Sequence, residues 1–327
     1  MEQTARQIYR AVVQAEKILL VTHQNPDGDA VGCVSAFSYF LQDLAKKHHN
    51  YCLNQPAPRI NNLPHIVNIN IDPAVWQEKP DLVVVLDSGD LAHAAIDSHI
   101  REAIQGPKII NIDHHETNAN FGHFNLVIKT ASSASEVLYY FFKFNNVPIN
   151  KNIAAALLTG IITDTENFTN PGTNINCLKI ASDLINRGAN FNQIKTWFLK
   201  DKTLNSLRLW GIAFSRLNKN EACNIIYSFI TLKDLEKNNL DESETEGIAN
   251  FMNNLGDCRA SLLLKEKNDG LIKGSLRTTR NDFDVSDIAR ALGGGGHRKA
   301  AGFTIAGTIV SVLDIIWKGL AKNDNKK

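Results

Sequence analysis

The chain has 327 residues, 43% hydrophobic and 21% charged, and its 35 basic and 34 acidic side chains leave a net charge of +1. That length implies two domains. No apolar run reaches the roughly 18 residues of a membrane span, and near-neutrality argues against tracking long nucleic acid by counterion release. The five cysteines, Cys33, Cys52, Cys177, Cys223 and Cys258, form no CxxC pair, so reduced, buried thiols are expected rather than a zinc site or a disulfide framework. Residues 1–14 read as a polar amphipathic helix without a signal-peptide core, and a cytoplasmic location is expected.

Residues 4–16 predict a helix and Lys17–Thr22 a short apolar strand. His23-Gln24-Asn25-Pro26-Asp27-Gly28-Asp29 ends that strand, with Gly28 read as a turn between two carboxylates. Helical spacing resumes from Ala30 to Lys46. Tyr51–Leu53 and Ile66–Ile69 are weaker strand candidates. Asp81–Asp87 is a continuous β-branched run, as a strand buried on both faces requires. A helical stretch follows to about Ile104, and Lys108–Ile112 is the next buried strand, ending in Asp113-His114-His115. Alternating strands and helices predict an α/β fold with a parallel, doubly wound sheet.

Helices are expected over Ser132–Phe144, Ile153–Ile162, and about 174–187, 191–200 and 203–217. Beyond residue 218 the texture changes. Strands are predicted over Ala222–Ile230, 258–266, 271–277 and 302–305. Helices are predicted at 243–254 (Ser243 and Glu246 as a capping box), 285–292 and 309–321, before a solvated Lys322–Lys327 tail. The predicted organisation is a catalytic domain over 1–190, a helical connector over 191–217, and a smaller mixed α+β domain over 218–327.

In an open parallel sheet, ligands bind beyond the carboxyl ends of the strands. Three polar sets fall at three predicted strand ends: His23, Asp27 and Asp29; Asp87; and Asp113, His114 and His115. Carboxylates and imidazoles without cysteine suit Mn²⁺, Mg²⁺ or Fe²⁺. There are too many ligands for one ion. Two ions ~3.5–4 Å apart, bridged by one carboxylate, would use them all, and Asp87, alone at its strand end, is the natural bridge. His48-His49 reads as a surface pair.

These motifs, with Gly160-Ile161-Ile162-Thr163-Asp164-Thr165, resemble the four motifs of the DHH phosphoesterases. Gly293-Gly294-Gly295-Gly296-His297-Arg298-Lys299-Ala300-Ala301-Gly302 is similar to the signature of the DHH-associated C-terminal domain. Length and Ser275-Leu276-Arg277 look most like the bacterial nanoRNase type. That resemblance implies two manganese ions, with Mg²⁺ or another divalent metal as the alternative. His23 and Asp27 would hold one ion; Asp29, His114 and Asp164 would hold the other; Asp87 would bridge them. Asp113 would orient a neighbouring imidazole. His115 would contact the scissile phosphate or protonate the leaving oxygen. Glu166 stands where relatives often carry glycine.

Four successive glycines are read as a nest of backbone N–H groups for an anion, not as a consequence of packing. The resemblance implies Arg277 and His297 as the clamp on a terminal phosphate or 3′-nucleotide, with Ser275, Gly294, Gly295, Gly296 and Arg298 beside them; Arg280 and Lys299, with Arg298, are the further cations considered. The implied activity is hydrolysis of short single-stranded RNA to mononucleotides and removal of the 3′-phosphate of 3′-phosphoadenosine 5′-phosphate. A substrate bridging metals and clamp would have a length limited by the cleft. The alternatives are a phosphodiesterase for linear dinucleotides and a non-catalytic nucleotide-binding module. No membrane is implied, and a homodimer is an open expectation.

Overall fold

Five short strands carry the first part of the chain: β1 (Lys17–Val21), β2 (Lys47–Tyr51), β3 (Leu82–Leu86), β4 (Lys108–Asp113) and β5 (Phe124–Val127). The structure is a computed structural model, and it describes residues 1–57, 60, 62–102, 106–199, 203–240, 242–245 and 247–324. Ile104, Lys200, Glu246 and the tail after Asp324 therefore lie outside the described residues. The strands are ordered β2-β1-β3-β4-β5, and every pairing is parallel. The chain order reverses between β1 and β3, and crevices form beyond the carboxyl ends of strands at such a switch point.

Alternation along the strands feeds two cores. Leu20, Val84, Ile110 and Ile112 face one side; Leu19, Val21, Val83 and Val85 face the other. The first core is closed by α1 (Glu2–Gln14) and α2 (Gly28–Asp43). The second is closed by a 3-10 turn at Pro73–Glu78 and the segment around Ala94 and Ile96, ahead of the short α3 (Asp97–Glu102). Four longer helices, α4 (Ala134–Phe144), α5 (Lys151–Asp164), α6 (Ile175–Asn186) and α7 (Phe191–Leu199), add to the first core. Periodicity does not predict β5, because only Leu126 of its four residues is buried. Ile66–Ile69 forms no strand; Asn70 alone makes a bridge to Tyr51.

The crossing of α2 and α5 is built from small residues. A Cβ added at Gly32 would sit 2.6 Å from the Ala156 carbonyl oxygen, and one at Gly28 would sit 2.3 Å from Thr163 Cγ2. Glycine there lets two backbones approach closely. As a result the last residue of α5, Asp164, lies beside the first turn of α2.

The chain separates into two units, Met1–Asp201 and Lys202–Lys327. α7 contributes Ile194 to the first core, whereas α8 (Leu204–Ser215) contributes Leu209 and Ala213 to the second unit. The second unit holds a mixed six-stranded sheet in the order β10-β11-β9-β8-β7-β6. Its strands are β6 (Asn218–Asn220), β7 (Ile225–Ile230), β8 (Ala260–Lys267), β9 (Leu271–Arg277), β10 (Gly295–His297) and β11 (Ala300–Ala306). Between them run α9 (Leu232–Asn238), α10 (Ile248–Met252) and α11 (Val285–Ala291), and α12 (Ile309–Asp324) follows β11. One sheet face packs Leu262, Leu264, Leu276 and Phe303 against Val285, Ala289, Val312 and Ile316. On the other face Ile230 and Leu263 are covered by Leu209, Ala213 and Met252.

The predicted helix at 243–254 resolves into a 3-10 turn at Glu242–Thr245 and the short α10, which starts after Gly247 with φ of +88°. β6 is a polar edge (Asn-Lys-Asn), and α9 is a seven-residue helix capped by Thr231; neither carries an apolar period long enough to read.

The α2–α5 crossing yields a test. Gly32→Val forces a side chain against backbone and is expected to cost about 1–3 kcal/mol. At about 2–4 °C per kcal/mol for a unit of this size, the thermal midpoint should fall by about 2–12 °C. An unchanged midpoint would contradict the close approach.

Candidate metal centre and anion trough

Asp27 caps α2. Its Oδ1 accepts the backbone N–H groups of Asp29 (3.0 Å) and Ala30 (3.1 Å). The helix therefore begins at Gly28, two residues earlier than predicted, and Gly28 is its first residue rather than a turn; its lack of a side chain serves the contact with Thr163. Asp29 is buried, with Oδ2 accepting the N–H of Ala134 (2.6 Å) and Oδ1 that of Ser135 (3.0 Å), at the start of α4. The Cys33 thiol donates to the same Oδ1 at 3.7 Å. Gly160 cannot carry a side chain, since a Cβ there would lie 2.3 Å from Asp29 Oδ1.

Asp87 follows β3 with φ of +58°, a left-handed conformation that costs a non-glycine residue about 1–2 kcal/mol. Such strain persists where the surroundings impose it; here the Asp87 N–H donates to the Ile112 carbonyl at 3.0 Å. Its carboxylate stands between two groups. Oδ2 is 3.8 Å from His23 Nε2, and Oδ1 is 3.8 Å from His114 Nε2. His23 Nε2 also lies 3.9 Å from Asp27 Oδ1, and His114 Nε2 lies 3.3 Å from Asp164 Oδ2. The potential ligand atoms form three overlapping groups, each within 4.8 Å: His23, Asp27 and Asp87; Asp29, His114 and Asp164; and Asp87, Asp113, His114 and His115.

Hydrogen bonds set the imidazoles. His114 Nδ1 is 3.3 Å from the Ala131 carbonyl, so Nδ1 carries the proton and Nε2 offers a lone pair toward the acids. His115 Nδ1 donates to Asp113 Oδ1 at 2.7 Å, and Asn118 Nδ2 donates to the other oxygen at 2.5 Å. Burial alone would push the Asp113 carboxyl up, but the His115 and Asn118 hydrogen bonds outweigh it and hold it below its ordinary value. The hydrogen bond to Asp113 in turn raises the affinity of His115 for its proton.

The other acids are pushed the opposite way. Burial, then the charges of Asp29, Asp27, Asp164 and Asp113, raise Asp87 well above the usual carboxylate range. Burial, then the charges of Asp29, Asp27, Asp113 and Glu166, raise Asp164 likewise. Burial also raises Asp29, against the opposing pull of His114. Asp87 Oδ1 and His23 Nδ1 are buried without a hydrogen-bond partner. A buried carboxylate oxygen with no donor, among like charges, needs a counter-charge. A divalent cation on the Oδ1 side and another on the Oδ2 side fit this donor set of oxygen and imidazole.

Several contributors carry no sequence signal. His93 stacks flat on His23, with centroids 4.9 Å apart and planes within 1°. Asn118 fastens Asp113, and the first N–H groups of α4 fasten Asp29. The Ser132–Ser135 cap signature marks a helix start; its destination becomes visible only in three dimensions. Glu166, with φ of +50°, begins a left-handed run of three residues through Phe168, a conformation that glycine adopts without steric cost. His49 is half exposed and pairs with Glu78, and His48 Nε2 is 2.7 Å from Ser38 Oγ, away from the acid cluster.

In the second unit, a trough of about 560 Å³ is lined by Lys273, Ser275, Arg277, Gly293–Gly296 and Ala300–Thr304. Arg277 Nε donates to Asn250 Oδ1 (2.8 Å) and Nη1 to the Leu276 carbonyl (2.9 Å). The expected glycine nest is corrected. The N–H groups of Gly293 and Gly294 bond Arg290 and Ala289 carbonyls, closing the end of α11. Gly295 and Gly296 run as the edge strand β10, paired with Gly302 and Ala301. Packing does explain two of the four: a Cβ at Gly294 would lie 2.2 Å from the Gly302 carbonyl oxygen, and one at Gly296 would lie 2.6 Å from that of Ala300. His297 ends β10 and is exposed, outside the trough lining. Arg298 bonds the Asn281 carbonyl, and Lys299 Nζ bonds Thr279 O (2.6 Å) and Asn281 Oδ1 (2.7 Å). These two cations hold the β10–β11 turn to the 278–282 loop rather than lining the trough. Arg280 pairs with Asp282.

The chain belongs to the DHH phosphoesterase family. The DHH family N-terminal domain matches residues 17–161 and the DHHA1 domain residues 223–319. Asp164 lies just beyond the first match. The chain is 28% identical over 290 residues to a bifunctional oligoribonuclease and PAP phosphatase of Thermus thermophilus, covering 89% of this chain and 84% of that protein. It is 29% identical over 174 residues to a probable manganese-dependent inorganic pyrophosphatase of Streptococcus mutans, covering 51% and 54% respectively. The crystal structure of an exopolyphosphatase-related protein from Bacteroides fragilis, 24% identical, shares the fold with a TM-score of 0.90 over 98% of this chain and 96% of that one. The protein is thus a hydrolase of phosphoester bonds. Among the described residues no helix is long and apolar enough to cross a membrane.

The acid cluster predicts a stability trade-off. Because the folded state raises the Asp87 carboxyl above its ordinary value of 3.8, the fold binds that proton more tightly than the unfolded chain does. Stability is then present at low pH and lost as pH rises through and above the ordinary carboxylate value. In EDTA-treated protein near neutral pH, Asp87→Asn should raise the thermal midpoint by about 2 °C or more and reduce the gain on adding divalent metal. A lower midpoint without metal would contradict the repulsion.

Proposed function

We propose that this chain hydrolyses short oligoribonucleotides to mononucleotides and removes the 3′-phosphate of 3′-phosphoadenosine 5′-phosphate. The observation that carries this reading is Asp87, whose two carboxylate oxygens face two separate sets of His and Asp. His23 and Asp27 would hold one divalent ion, Asp29, His114 and Asp164 the other, and Asp87 both. Manganese is favoured by the oxygen and imidazole donor set and by the manganese dependence named for the pyrophosphatase relative. When bound, such a pair supplies Lewis acidity and activates water for in-line attack at phosphorus.

The chain's own residues do the positioning. The N-terminal N–H groups of α4 lock Asp29, Ala131 fixes the His114 tautomer, and Ile112 holds Asp87 in its left-handed turn. In the reaction, oxygen from water bonds to phosphorus and the bond from phosphorus to the leaving ribose oxygen breaks. That leaving oxygen takes a proton from His115, whose other nitrogen is anchored on Asp113. Short substrates are favoured by the near-neutral charge, which offers little for a long phosphate backbone. Five buried cysteine thiols suit a reducing compartment such as the cytoplasm.

A panel of end-labelled RNAs from two to twenty nucleotides, with 3′-phosphoadenosine 5′-phosphate, linear dinucleotide and polyphosphate, tests the reading in Mn²⁺. Turnover should be highest on the shortest RNAs, and Asp87→Ala should lower kcat by about 10³-fold or more, the scale of lost transition-state electrostatics. No hydrolysis of any member would support a binding module instead. Equal rates on long and short RNA would contradict the length preference.

A further inference from the structure

Three imidazoles, His23, His114 and His115, stand among the clustered ligand atoms. Two of them are fixed by a hydrogen bond through Nδ1: His114 to the Ala131 carbonyl and His115 to Asp113. His23 is the exception. Its Nε2 turns to Asp27 and Asp87, while its Nδ1 is buried without a hydrogen-bond partner. An imidazole that holds a metal is ordinarily oriented by an outer hydrogen bond from its second nitrogen. Among the described residues no group supplies one to His23, so something other than a hydrogen bond sets this ring.

What lies against it is His93. The two ring planes are within 1° of parallel, and their centroids are 4.9 Å apart. An offset stack of this kind fixes the plane of a ring without any polar contact. The backbone enforces the stack. The Gln24 N–H donates to the His93 carbonyl at 3.0 Å, which ties the residue after His23 to the backbone of His93. The His93 N–H donates to Asp90 Oδ1 at 2.6 Å, and Ser88 Oγ donates to the Asp90 carbonyl at 3.0 Å. The next residue, Ala94, is buried in the same core as Val21 and Val85. The turn is therefore pinned before His93, after it and across from it. This is also the turn that follows Asp87, so one short segment carries both the bridging carboxylate and the ring that backs His23. His93 itself is exposed and belongs to none of the three groups of ligand atoms.

We propose that His93 is a positioning residue for the ion held by His23 and Asp27: its ring backs the His23 imidazole and keeps Nε2 aimed between Asp27 and Asp87. The inference rests on the two-ion reading of the site and extends it to a residue outside the ligand set. The flat ring does this work and the ring nitrogens do not, so a phenyl ring at position 93 serves as well as an imidazole.

Manganese binding to the full chain at a fixed neutral pH tests this, followed by calorimetry and electron paramagnetic resonance in wild type, His93→Ala and His93→Phe. Wild type should bind two ions. In His93→Ala one binding event should weaken by about tenfold, the scale of losing an outer partner of a metal ligand, while the other stays within about twofold. His93→Phe keeps the flat ring, and both events should stay within about threefold of wild type. With two equivalents of manganese, the exchange-coupled spectrum of an ion pair should give way in His93→Ala to that of isolated ions, and excess manganese should restore it. Because position 93 is exposed, the thermal midpoint in EDTA should move by less than about 2 °C in either variant. Equal weakening of both events in His93→Ala marks a general structural role and overturns the proposal. His93→Phe behaving as His93→Ala assigns the effect to the ring nitrogens and overturns it too. Wild type binding a single ion contradicts the two-ion reading and the proposal together, whereas two ions bound with wild-type affinity by His93→Ala contradict the proposal alone.

Discussion

Five carboxylates brought to one sheet edge repel one another, and the first unit is arranged around that repulsion. Asp87 bears that repulsion while almost wholly buried. Its neighbours push its proton affinity up, its Oδ1 has no hydrogen-bond donor, and its backbone sits in a left-handed turn. None of these features stabilises a fold. Together they describe a carboxylate held ready for positive charge on both sides.

The scaffold follows from that requirement. A parallel sheet sends every strand end to one edge, which delivers His23, Asp87 and the Asp113–His115 run. The α2–α5 crossing delivers Asp164 by removing side chains at Gly28 and Gly32. The N-terminal N–H groups of α4 hold Asp29 where a free carboxylate would swing away. The imidazoles are aimed through their far nitrogens, His114 on a backbone carbonyl and His115 on a buried carboxylate whose own charge is secured by Asn118. In the second unit one sheet face is packed with apolar side chains, and on the β9–β11 part of the other the side chains shrink to Ser and Gly between Lys273 and Arg277.

Much of the first unit was legible because its signals are local. LVVVL reads as a doubly buried strand, and acids at strand ends share an edge whenever the sheet is parallel. Asp164 needed the family resemblance, since it ends a helix and reaches the site only through a helix crossing. Glycines were the least legible residues. A run of four has the same letters whether it cradles an anion, caps a helix or lies against a backbone, and here Gly293–Gly296 divide among a helix end, an edge strand and tight packing. His93 and Asn118 were invisible for the same reason: stacking and side-chain anchoring between distant residues leave no periodicity.

The central claim is that Asp87 bridges two metal ions, and diffraction from manganese-soaked crystals at the manganese absorption edge measures it directly. Two anomalous peaks ~3.5–4 Å apart are expected, one near His23 and Asp27 and one near Asp29, His114 and Asp164, with an Asp87 oxygen on each. A single peak, or two peaks neither of which Asp87 touches, would contradict the account.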